Sequence, residues 1–144
     1  MRLRLAAYRV STPMENSRHL LDYMAGYCHV MALALQKLHP DWQIRAHIGW
    51  EEEAEYDEDY RVDHVYIVAP DGSAYDCRGK FSSEQALVGP DNTGSSPGRS
   101  PGGVETQLVN YSAEDIEHDI QRGELREFSR QDLDNAIKFV KEKH

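Results

Sequence analysis

The chain has 144 residues, 40% hydrophobic and 28% charged, the profile of one ordinary globular domain that can bury a core without staples. Its net charge of −9 excludes a general binder of nucleic-acid backbone, which needs clustered Lys and Arg. No stretch approaches the roughly 20 apolar residues of a membrane helix, and the opening MRLRLAAYRVSTPMENS lacks the cleavage pattern of a secretion signal.

In chain order, residues 3–10 suit a short strand, and 16–24 carry Leu20, Leu21 and Met24 at helical spacing. Gly26 ends that helix and lets the chain turn. A second helix is expected over 28–38, with Met31, Leu35 and Leu38 on one stripe, stopped by Pro40. Residues 42–50 alternate as a strand. The acidic run 51–59 reads as a solvated loop, because it lacks the alternating ligands and central glycine of a calcium loop. Two β-rich runs, 64–69 and 73–77, flank Pro70-Asp71-Gly72, the composition of a three-residue hairpin turn.

The segment 89–103, GPDNTGSSPGRSPGG, is nearly all turn formers and reads as a flexible loop. A last strand at 104–109 precedes two helices that open on Ser112-Ala-Glu-Asp115 and Ser129-Arg-Gln-Asp132, both close to the capping-box pattern. In the second, Leu133, Ile137 and Val140 share a face. The expected fold is a single α+β domain: an antiparallel sheet of four to five strands, the 28–38 helix packed across it, and the C-terminal helices at one edge. Its core would comprise about 1–88 and 104–144.

The chain's two cysteines, Cys28 and Cys77, form no disulfide framework, so a reducing cytoplasm is the expected setting. Cys28 opens a helix, where the positive end of the helix dipole favours a thiolate. It reads either as a small buried hydrophobe or as a nucleophile. A three-residue turn at 70–72 would pair Ile67 with Tyr75 and set His64, Tyr66 and Asp76 on one strand face. His64 would then be oriented by Asp76 and could serve Cys28 as base, completing a Cys–His–Asp triad. The backbone N–H of Cys28 or His29 could supply one oxyanion donor. The His29 side chain is expected to point away from Cys28, as helix neighbours do. Cys77 falls on the face opposite His64 and Asp76, which weakens a zinc site built from Cys28, His64, Asp76 and Cys77. No metal or other cofactor is expected.

Cysteine on a helix start, then histidine on a strand, then aspartate on the next strand resembles the papain-like superfamily, and within it the transglutaminase-like core. The matching positions are Gly26, Cys28 and Ala32, then His64, then Asp76, so the resemblance covers about residues 16–80. It implies cysteine-dependent acyl transfer on a protein or peptide amide through a thioester, with a peptidase, amidase, deamidase or transglutaminase outcome. The loops 51–59 and 89–103 are expected to flank the cleft, since binding residues concentrate on such loops. Two positions depart from the pattern. Tyr66 stands where the family commonly has Trp, and no upstream glutamine offers a second oxyanion donor, leaving Asn16, Tyr23 or Tyr27 as substitutes. The alternative reading is a non-enzymatic acidic binding or inhibitory protein, of the kind that imitates DNA.

Overall fold

The computed structural model describes residues 23, 26–50, 60–89 and 105–143. The strand expected at 3–10, most of the helix at 16–24 and the loops at 51–59 and 89–103 lie outside the described residues. The elements run α1 (Cys28–Leu38), β1 (Gln43–Trp50), β2 (Arg61–Val68), β3 (Ala74–Asp76), β4 (Gly79–Phe81), α2 (Glu84–Val88), β5 (Glu105–Asn110), α3 (Ala113–Gln121) and α4 (Arg130–Lys143). The five strands form one antiparallel sheet in the order β4-β3-β2-β1-β5. The domain is α+β, as the pattern of strands and capped helices predicts. No helix among the described residues is long and apolar enough to cross a membrane.

Helix α1 occupies the centre. Every residue from Cys28 to Leu35 is buried, so the helix is apolar all round and needs cover on more than one side. One side meets the sheet through Ile44, Ala46, Ile48, Val65 and Ile67; Leu133, Ala136, Phe139 and Val140 of α4 join the same core. The C-terminal helix therefore stacks on α1 and does not sit at a sheet edge as expected. The single stripe of Met31, Leu35 and Leu38 understated α1, whose Val30, Leu33 and Ala34 are equally buried. The opposite sheet face carries Tyr66 and Ala74, covered by Leu87 and Val88 of the short α2.

Local chemistry sets most boundaries. The hairpin turns as its composition dictates: Ala69 N–H bonds the Ser73 carbonyl at 2.8 Å, Gly72 takes φ 93°, and Ile67 faces Tyr75. Ser112 and Asp115 form the expected capping box, and Ser129 and Asp132 exchange the equivalent bonds. Strand β4 and helix α2 were not expected. Ser83, which caps α2 by accepting from Ala86 N–H, is the signal that could have found the helix. Asp119, fully buried on α3, accepts from the Tyr60 and Tyr111 hydroxyls and from Arg122. Burial and that carboxylate together push the Tyr60 phenol up to about 12. This node ties α3 to the start of β2 and the end of β5.

Candidate active site

Two irregularities in β2 make the site. The first is a bulge: His47 faces His64, yet Ile48 faces Val62, so Asp63 is the extra residue. The bulge lets Val62 and Ile48 both point at the core while Asp63 stays exposed and accepts from Arg61. The second is an early parting from β3. Bonded pairs in an antiparallel ladder recur every second residue, so the bond at Ala69–Ser73 would place the next ones at Ile67–Tyr75 and Val65–Cys77. The ladder stops at Ile67–Tyr75. Val65 N–H donates to Cys28 Sγ at 3.4 Å. The sulfur thus takes the ladder position that the Cys77 carbonyl would have filled.

That gap resolves a difficulty of alternation. Val65 and Ile67 face α1, so His64, Tyr66 and Asp76 face the other side of the sheet. A continuous sheet would screen His64 from a cysteine on α1. Where the strands part, the Cys28 thiol and the His64 imidazole come close enough for each to shift the other's titration. On its far side, His64 Nε2–H donates to Asp76 Oδ2 at 2.9 Å, which leaves Nδ1 for the sulfur. The three predicted residues are brought together in the predicted order.

The electrostatics follow from this contact. Burial alone would push the Cys28 thiol up from 9.0; the imidazoles of His29 and His64 outweigh it and bring the thiol down to about 6. Burial would also discharge His64, but Asp76 and the Cys28 thiolate hold it protonated up to about 9. Asp76 itself is buried, yet its bonds to His64 and Arg78 lower it to about 2. Between about 6 and about 9 the resting pair is a thiolate facing an imidazolium. Cys77 differs: burial and the nearby Asp76 charge push it up to about 12. It lies on the face away from His64 and Asp76, as expected, and shares the core that holds Cys28.

Four contributors escaped the sequence reading. Arg78 binds Asp76 through Nη2 at 2.7 Å and through its backbone N–H at 2.8 Å, so the acid is already compensated and acts mainly to orient His64. A period of two from Asp76 could have found it. Glu84 accepts from the Tyr66 hydroxyl at 2.7 Å and from Arg45 at 2.8 Å, fixing the Tyr66 ring 6.0 Å from that of His64. Tyr66 therefore buttresses the imidazole. His29, expected to point away from Cys28, is fully buried beneath the segment 124–128: its Nε2–H donates to the Arg126 carbonyl at 2.8 Å, and Phe128 meets it edge-on at 5.7 Å. Arg126 also crosses over the Tyr27 ring at 5.6 Å.

Cys28 is 8% exposed and belongs to the main core, so it is not the open-cleft thiol that a nucleophile reading suggests. It is both packed and coupled to a base. Helix α1 is also left uncapped: Tyr27 at its N-cap makes no side-chain cap, whereas α2, α3 and α4 all start at capping serines. Among the described residues, the Cys28 and His29 backbone N–H groups have no hydrogen-bond partner. No group of three or more His, Cys, Asp or Glu among the described residues is arranged to hold a metal ion. No family model, curated protein or solved structure matches the chain.

Proposed function

We propose that the chain is a cysteine-dependent acyl-transfer enzyme acting on amides, with Cys28 as nucleophile, His64 as acid and base, and Asp76 as the residue that orients His64. The observation that carries this reading is the parted ladder, which sets Cys28 Sγ against Val65 N–H and against an imidazole held by a buried carboxylate. A packing cysteine has no need of an oriented base. The arrangement of a nucleophile helix on an antiparallel sheet, with histidine and aspartate on successive strands, supports a papain-like or transglutaminase-like core. A free nucleophilic thiol also suits a reducing compartment such as the cytoplasm.

The chemistry is then constrained. The Cys28 thiolate attacks the amide carbonyl carbon; a C–S bond forms and the carbonyl π pair moves to oxygen. The free N–H groups at the head of α1 stabilise that oxygen. As the carbonyl reforms, the C–N bond breaks and the His64 imidazolium gives its proton to the leaving nitrogen. Neutral His64 next takes a proton from water or an amine, which attacks the thioester. The C–S bond breaks and the thiolate–imidazolium pair is restored. Water gives hydrolysis, and an amine gives transamidation.

Turnover of an activated acyl donor such as p-nitrophenyl acetate tests the reading. Wild type is expected to turn over, and Cys28→Ser to fall by about 10³-fold or more, because a hydroxyl beside the same imidazole is not ionised. The serine should melt close to wild type, since its oxygen still accepts from Val65 N–H. Cys28→Ala orphans that donor and should cost about 1–3 kcal/mol in chemical denaturation. Unchanged turnover in Cys28→Ser would refute the proposal.

A further inference from the structure

The segment 124–128 makes one wall at the head of α1 and is fixed there by independent contacts. Glu124 accepts from Val62 N–H at 2.7 Å, the Arg126 carbonyl accepts from His29, and Phe128 packs on the His29 ring. These hold the Arg126 backbone against the first turn of the nucleophile helix. Its exposed side chain lies along Gly26 and Tyr27, the two residues before Cys28. Gly26 sits at φ 125°, which favours glycine, and a Cβ there would meet Arg126 Nε at 2.9 Å and push that side chain from its seat. Among the described residues no carboxylate pairs with the Arg126 side chain. On a chain of net charge −9, an exposed guanidinium at the head of the nucleophile helix, with no carboxylate partner among the described residues, calls for an explanation.

We infer that Arg126 is a specificity-determining residue that receives a carboxylate carried on the acyl side of the substrate, next to the scissile carbonyl. The inference rests on the acyl-transfer reading and names its substrate class: an anionic amide. A guanidinium presents a planar fork of donors suited to a carboxylate, and the Tyr27 ring beneath it fixes its position without neutralising it. The uncapped N-terminus of α1 adds positive potential on the same side. The head of the nucleophile helix would thus combine an imidazolium that serves the chemistry with a guanidinium that selects the substrate.

Two alkylating reagents of nearly equal size isolate the charge. Iodoacetate carries a carboxylate next to its reacting carbon, and iodoacetamide carries a neutral amide there. The rate ratio of iodoacetate to iodoacetamide at Cys28 is expected to fall about fivefold in Arg126→Gln at low salt, as removal of one nearby charge across a partly solvated gap predicts. Arg126→Lys should restore the ratio to within about twofold, and added salt should compress the wild-type preference. The iodoacetamide rate, which reads the thiolate and an intact fold, should change by less than about twofold in both variants. An unchanged ratio in Arg126→Gln, with a normal iodoacetamide rate, overturns the inference and leaves the acyl-transfer reading standing. A slow iodoacetamide reaction at Cys28 in wild type would count against that underlying reading instead.

Discussion

At neutral pH, iodoacetamide is expected to modify Cys28 more than about 100-fold faster than Cys77. The two thiols lie near 6 and near 12, so one is mostly thiolate and the other almost wholly protonated. Their thiolate fractions at pH 7 differ by about 10⁵, but a thiolate of lower pKa is intrinsically less reactive, which returns a factor of several hundred. The net preference survives that correction. Both cysteines are buried residues, at 8% and 5% exposure, so overall residue exposure does not separate them. Peptide mapping by mass spectrometry after timed alkylation reads the two sites separately. Comparable rates would mean that the imidazole does not ionise Cys28.

Replacing His64 carries the other large effect. In His64→Gln the buried Cys28 keeps His29 but loses one of the two imidazoles that together outweigh burial, so its thiol should rise from about 6. The midpoint of alkylation against pH is then expected to rise by about 1 unit or more, and the rate near pH 5.5 to fall by at least about threefold after correction for intrinsic nucleophilicity. Turnover should fall further, by about 10³-fold or more, because the same ring must also protonate the leaving nitrogen. In wild type the signs are fixed by the pair. Activity rises as Cys28 ionises near 6 and is lost as His64 gives up its proton near 9. These two values belong to the coupled pair. A variant whose alkylation midpoint stayed near 6 would show that some other group ionises the sulfur.

Much of the site was legible because it depends on short-range rules. Pro70-Asp71-Gly72 fixes the turn, the turn fixes the Ile67–Tyr75 register, and the register puts His64 and Asp76 on one face. The helix start at Cys28 is equally local. What alternation does not reveal is how the two halves meet. The Asp63 bulge and the early end of the β2–β3 ladder are properties of strand pairing, set by which carbonyls and amides the packed sheet leaves unpaired. The position of α4 escaped for a related reason: a helix buried on every side, such as α1, does not announce which neighbour covers which face. Arg126 and His29 meet across 97 positions of sequence, and no local spacing encodes that contact.

The most direct test of the central claim is to trap the acyl-enzyme. Protein mixed briefly with p-nitrophenyl acetate, quenched in acid and mapped by mass spectrometry should carry a single acetyl group on Cys28, as a thioester that hydroxylamine removes. The label should form before steady-state turnover and vanish in Cys28→Ser. Acetylation confined to lysines or to Cys77, or release of p-nitrophenolate with no thioester on Cys28, would contradict the assignment of Cys28 as the nucleophile.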